Sequence, residues 1–419
     1  MENRKIIEIG EILEKANTGL DAIKRAPIVE YDSGIKCLRI QDVSQSKKFE
    51  DWGFTEVSEN NFGKFQLKKG DIIVARTGAT IGVNRFINED INAVFNNGLI
   101  KLKVNENKCL PKYLFYNLQS YNYWGYIDGI SGGTSTQPNM QINALLKYEI
   151  QLPPLPEQKA IASVLSSLDD KIDLLHQQNQ TLEALAETLF RQWFIERCPE
   201  PVEGEAKEDW EELPFSEWIN ETVGGDWGKE TLQDEFTKEV YCIRGTDIAD
   251  LLIGIPTKTP IRFVKEKKFQ SIEPKEGDII IEISGGTENQ STGRAYFINN
   301  EIKSLFGKDL VFSNFCRLIR IKDSNYSFFV YLYLKYLYDQ DEFFNLENGS
   351  SGIKNLDYKS LLFENKYKMP KEDLVLKFND QVSNNYKKIN QNKFQIQTLT
   401  KLRDTLLPKL MSGEVRVKI

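Results

Sequence analysis

The chain has 419 residues, 54 Lys and Arg against 61 Asp and Glu for a net charge of −7, and 40% hydrophobic residues, 11% aromatic. That is too long for one ordinary core, so two or more compact units are expected, and no apolar run approaches the roughly 18 residues that a membrane span needs. One histidine, His176, and five scattered cysteines (Cys37, Cys109, Cys198, Cys242, Cys316) leave little room for zinc sites or histidine acid–base catalysis and fit a reducing, cytoplasmic setting.

The opening "MENRKIIEIGEIL" has acidic residues where a secretory leader would be apolar, so no export signal is expected. "GDIIVA" from Gly70 is a Gly-Asp turn feeding a β-branched run, and "GLIKLKV" from Gly98 alternates as a half-buried strand does. An aromatic helical stretch follows (Pro111 to Trp124), then a small-residue loop, "GISGGTSTQPN". Next comes a proline-stiffened strap, "QLPPLPEQ", and a long helix. Its heptad seam is Ile161, Leu165, Leu168, Ile172, Leu175, Asn179, Leu182, Ala186, Leu189 and Trp193, in which Asn179 is the polar break that fixes register. Residues 198–240 hold 14 acidic and 3 basic side chains, so the net charge describes a connector and the remainder stands at about +4.

Beyond the connector the chain repeats itself. "CLRIQDV" at Cys37 is echoed by "CIRGTDI" at Cys242, "KKGDIIVARTGA" at Lys68 by "KEGDIIIEISGG" at Lys275, and "VFNNGLIKLKV" at Val94 by "VFSNFCRLIRI" at Val311. From Gly132 and Gly349 onward the offset is constant: Pro153 meets Pro370, Ile172 meets Ile389, and Leu182, Leu185 and Leu189 meet Leu399, Leu402 and Leu406. A fixed offset over so long a stretch marks a tandem duplication. The second helix has a less regular seam (Phe378, Val382, Ile389, Ile396, Leu399, Leu406), and each helix is the natural partner of the other. A 35-residue helix is about 50 Å long, so a pair of them would be a rod that spaces two domains. The alternative is that each helix packs on its own domain.

Nucleotide-binding and nucleophile-elbow motifs are absent from the sequence. Asp278 and Glu282 resemble a metal-nuclease pair, but Ser284 stands where its lysine should be, and Ala75 occupies the carboxylate position in the first half. Binding remains. Arg76, Thr77, Gly78 and Arg85 lie around one turn, and Ser131, Gly132, Thr134 and Gln137 in the loop that follows the aromatic stretch. Ser284, Gly285, Arg294, Ser350, Ser351 and Lys354 are the counterparts in the second half. These residue types grip phosphates and read base edges.

The strap and helix "LPPLPEQKAIASVLSSLDDKI", the loops "RTGATIG" and "GGTSTQPNMQINALLKYEIQLPPL", and the ending "LRDTLLPKLMSGEV" resemble the specificity subunit of type I restriction-modification enzymes over nearly the whole chain. The resemblance implies an α+β chain of two tandem mixed recognition domains, each followed by a long helix, the helices pairing as an antiparallel coiled coil. On that basis residues 1–150 are a first recognition domain, 151–197 a spacer helix, 198–226 an acidic linker, 227–367 a second recognition domain, and 368–419 the second helix and tail. It further implies a subunit without catalysis or cofactor of its own that reads a bipartite, asymmetric sequence in double-stranded DNA. Two methyltransferase subunits would carry S-adenosylmethionine and dock at Pro153, Pro154, Glu157 and Gln158. A nuclease subunit using ATP and Mg can join them, and no membrane is involved. "KMPKED" (Lys368–Asp373) departs from the first strap. A coiled-coil scaffold with no DNA role is the rival reading.

Overall fold

The computed structural model describes residues 4–21, 23–131, 139–196, 210–256, 258–287, 289–349 and 354–418. Its contacts divide into two units, one of residues 1–170 with 401–419, the other of residues 171–400. Both divisions fall inside long helices, not at the domain ends expected from the sequence.

In the first unit a four-stranded antiparallel sheet runs in the order Leu13–Thr18, Leu99–Val104, Ile72–Ala75, Asn84–Phe86. A second sheet runs Ile28–Val29, Phe54–Thr55, Lys36–Leu38, Ala93–Phe95, its last pair parallel. Every residue of Ile72–Ala75 is buried, which explains its continuous β-branched run: Ile72 and Val74 pack into one core and Ile73 and Ala75 into another. Lys5–Glu8 pairs antiparallel with Glu149–Leu152, the strand that leads into the strap.

The second unit repeats these orders. Its main sheet is Ile219–Gly224, Cys316–Ile321, Ile279–Glu282, Ala295–Phe297. A smaller sheet is Ile261–Val264, Lys238–Ile243, Leu310–Phe312, again with a parallel last pair. Glu211–Leu213 pairs with Tyr367–Met369 as the counterpart of the first unit's two-stranded sheet. Equivalent glycines mark the same close approach in each. A Cβ on Gly19 would lie 2.1 Å from the Phe95 carbonyl oxygen, and one on Gly225 2.2 Å from that of Ser313.

One expectation is corrected here. Of the acidic linker at 198–226, residues 198–209 lie outside the described part, but the rest is folded: Trp210, Phe215, Trp218 and Ile219 are buried, and two strands belong to sheets of the second unit. Glu211, Glu212, Glu217 and Glu221 are exposed there, and acidic residues dominated the composition. The aromatic stretch from Pro111 is helical as expected, in two pieces, Pro111–Asn117 and Tyr121–Ser131, whereas its counterpart Ser324–Asp339 is continuous.

The first long helix is Leu155–Phe190, continued by a π-helical turn at Arg191–Ile195, and the second is Glu372–Ser412. Their ends serve domain cores. Ile161, Leu165, Leu407, Leu410 and Met411 join the main core of the first unit, and Ala186, Phe190, Phe378 and Val382 that of the second. Helix also meets helix within each unit. In the second, Phe190 lies 6.2 Å from Phe378, Asn392 Nδ2 donates to Asn179 Oδ1 at 2.9 Å, and Ile172, Leu175 and Ile396 form a cluster with Leu399. In the first, Arg403 Nη1 donates to Asp169 Oδ1 at 3.0 Å.

Candidate nucleic-acid interface

The buried strand Ile72–Ala75 delivers Arg76, Thr77 and Gly78 to its end. The Arg76 backbone N–H donates to the Gly98 carbonyl, the Met140 N–H donates to that of Arg76, and Thr77 bridges Asn139. Arg76 is half-buried and its Nη2 donates to Asn139 Oδ1 at 2.8 Å, while Gly78 takes φ +79° with open space where a Cβ would be. The strand end is thereby tied to the residue after the Ser-Gly-Thr loop. Ser131 closes the preceding helix, its hydroxyl turned back to the Asp128 carbonyl; Gly132, Thr134 and Gln137 lie outside the described residues.

In the second unit Ser284 and Gly285 pair with Asn355 and Lys354, so three expected residues meet in one small sheet completed by Glu347–Asn348. Lys354 Nζ lies 2.8 Å from Glu347 Oε2 and over the Phe344 ring, and Glu347 Oε1 also accepts from the Thr292 N–H. Ser350 and Ser351 lie outside the described residues.

Two expected arginines are committed elsewhere. Arg85 stacks over Trp52 at 5.0 Å and donates to the Lys47 and Asp42 carbonyls at 2.6 and 3.3 Å. Burial lowers its pKa and nearby Asp42 opposes the shift. Its charge fastens a turn. Arg294 grips the buried Glu282 carboxylate with Nε and Nη2 at 3.0 and 2.8 Å, and that bond raises its pKa. The same pairing removes Glu282 from any metal-nuclease role, as Arg320 does for Asp278 at 2.9 Å. Sequence adjacency suggested loop cations; cross-strand neighbours supplied their partners.

The spacing missed one pair of residues that the repeat had marked. In "CLRIQD" and "CIRGTD" an arginine is followed three residues on by an aspartate. Arg39 donates from its backbone N and its Nε to Asp42 Oδ2 at 2.9 and 3.2 Å. Arg244 does so to Asp247 Oδ2 at 2.9 and 3.0 Å. Both aspartates are buried and both guanidiniums partly exposed. Each turn adjoins the strand end just described. A Cβ on Gly98 would lie 2.4 Å from Ile40 Cδ1 and 3.4 Å from Thr77 Oγ1, and Cβ atoms on Gly245 and Gly285 would both crowd Glu282 Oε1. The preserved Arg-x-x-Asp spacing was the available signal.

Residues 1–184 match the family model described as the type I restriction modification DNA specificity domain. Over these residues the chain is similar to type I specificity subunits. It is 28% identical over 326 residues to the type I restriction enzyme MjaIX specificity subunit of Methanocaldococcus jannaschii, covering 74% of this chain and 70% of that one. It is 24% identical over 409 residues to the HindI specificity subunit of Haemophilus influenzae, covering 84% and 88%. The fold is that of the type I restriction-modification S subunit of M. genitalium, with a TM-score of 0.61 at 20% identity over 98% of this chain and 97% of that one.

The resemblance made the strap the expected docking ground, and here its polar side chains point inward. Gln158 is buried: its Oε1 accepts from the Leu110 N–H at 2.8 Å, and its Nε2 donates to the Pro153 and Lys108 carbonyls at 2.8 and 3.3 Å. Glu157 is buried against Arg4 Nη2 at 2.6 Å, and Arg4 Nη1 donates to the Leu410 and Met411 carbonyls at 2.9 and 2.8 Å. Pro153 is buried, and of the four only Pro154 is exposed. The Glu-Gln pair therefore fastens the helix start to its own unit. In the second strap buried Val375 stands where the offset places Gln158, and Asp323 instead caps its aromatic helix through the Asn325 N–H.

Proposed function

We propose that this chain is the non-catalytic DNA-reading subunit of a type I restriction-modification complex, each unit contacting one half of a split, asymmetric target. The supporting observation is the doubled architecture: in both units a buried β-branched strand leads into a Thr-Gly or Ser-Gly pair beside an Arg-x-x-Asp turn. Two similar but non-identical readers call for two different half-sites separated by unread base pairs. In this reading the long helices pair antiparallel as a coiled coil and space two tandem recognition domains within the 1–150 and 227–367 ranges. The contacts Phe190–Phe378, Asn179–Asn392 and Asp169–Arg403, in which late residues of one helix meet early residues of the other, support it. Methyltransferase subunits dock on the outer helix faces and Pro154, bringing S-adenosylmethionine, and a nuclease subunit brings ATP and Mg. The complex works on cytoplasmic duplex DNA, and among the described residues no helix is long and apolar enough to cross a membrane.

The test is co-expression with a cognate methyltransferase subunit, followed by genome-wide mapping of methylated adenines and a salt titration of duplex binding. The expected outcome is one split motif with affinity falling steeply with salt. A complex that binds no duplex at low salt would leave the coiled-coil scaffold reading. Inserting one heptad into both long helices should lengthen the unread gap by a fixed number of base pairs, and an unchanged gap would remove the spacer role.

A further inference from the structure

Arg39 is not free to sample orientations. Its own backbone N–H and its Nε both bind Asp42 Oδ2, and Asp42 is fully buried, with Lys47 Nζ 3.6 Å from its other oxygen. The carboxylate takes up the Nε side of the guanidinium and leaves the Nη1–Nη2 edge without a hydrogen bond among the described residues. That edge belongs to a side chain that is 27% exposed, and the next residue, Ile40, packs on Gly98 beside the Thr77 hydroxyl.

Resting on the DNA-reading function above, we propose that Arg39 is a specificity-determining residue whose Nη1–Nη2 edge binds the paired acceptors of a guanine in the half-site read by the first unit. A phosphate needs charge near it and tolerates many orientations. A base edge needs two donors in a fixed plane, and guanine alone offers two adjacent acceptors in the major groove. A guanidinium braced by a buried carboxylate has lost part of its net charge and kept its direction, which suits the second task. Arg244 is braced in the same way, but its Nη2 also donates to the Lys258 carbonyl at 2.9 Å, so Nη1 alone is left open. The second half-site is therefore read at this position through a single acceptor, and the two half-sites differ here.

The experiment uses the complex with its methyltransferase subunits, wild type and carrying Arg39→Lys, Arg39→Gln or Arg39→Ala. Methylated motifs are mapped, and binding is titrated against salt on duplexes that vary one half-site base at a time. The expected result is a loss of preference for one guanine in one half-site, on the order of tenfold or more, with the other half-site unchanged. Arg244→Lys should alter only the opposite half-site. An unchanged motif in a folded complex would overturn the proposal. So would a uniform fall in affinity across all sequences with a shallower salt slope, which marks a phosphate grip, or the unfolding of all three variants, which marks a structural arginine. If the wild-type complex marks one split sequence while the variants mark the same one, the DNA-reading function stands and Arg39 alone is excluded. If the wild type marks none, both fall.

Discussion

At the scale of single residues, burial decides what each titratable group can do. Cys37, Cys109, Cys242 and Cys316 are free and buried, and burial pushes each thiol up to about 12. Because the folded value lies above the unfolded 9.0, their contribution to stability is complete below pH 9 and is lost as pH rises from 9 toward 12. At pH 8 a thiol reagent should modify these four only as fast as the fold opens, and rapid labelling of Cys37 or Cys242 would contradict their burial. Arg294 and Glu282 give a sharper case. The backbone bond from Glu282 N to the Arg294 carbonyl is matched in the first unit by Ala75 N to the Val83 carbonyl, so an apolar pair occupies the equivalent place. Arg294→Ala strands a buried carboxylate and should cost about 3–5 kcal/mol, whereas Glu282→Ala with Arg294→Val should be nearly neutral. Chemical denaturation of the three proteins checks this. A direct DNA role for Arg294 would instead appear as weaker binding at unchanged stability.

At the scale of elements, the strap shows how one short motif can be read in two ways. "PPLPEQ" reads from its prolines as a rigid strap, and the family resemblance made it a docking ledge for methyltransferase subunits. Both polar side chains in fact satisfy buried backbone and a buried arginine. Gln158→Leu leaves the Leu110 N–H and the Pro153 carbonyl without partners and should lower stability by about 2–4 kcal/mol. Methyltransferase assembly by the surviving folded fraction should be unchanged, and size-exclusion of the co-expressed complex distinguishes this from a docking defect. The heptad seam was legible along the helices, and its buried positions Ile161, Leu165, Ile172, Leu175 and Ala186 came out as expected. The sharing of that seam was not legible. Ile161 and Ala186 face domain side chains, while Ile172 and Leu175 face the other helix, because periodicity records that a stripe is buried and not against what.

For the molecule as a whole, the first unit is assembled from distant parts of the chain. Leu407, Leu410 and Met411 lie in the core that contains Ile9, Ile72 and Ile100, and Arg4 holds the carbonyls of Leu410 and Met411. Each of these apolar side chains contributes about 1.5–3 kcal/mol by burial. Ending the chain after Leu406 should therefore loosen Ile72–Ala75 and Leu99–Val104 while Ile279–Glu282 keeps its protection, as hydrogen exchange would report. Equal loosening of both would show that the units do not behave separately.

The sequence by itself determined the duplication, the buried β-branched strands and the two long helices, because turn residues, side-chain period and repeat offset are local properties of the chain. Even the unnoticed Arg-x-x-Asp turns were written twice in it. Only the tertiary structure decided which cations are available. Arg85 and Arg294 look as free in sequence as Arg39, but their partners are carbonyls and a carboxylate brought up by other parts of the fold. A charge's freedom depends on what folding places against it, and spacing along the chain carries no record of that.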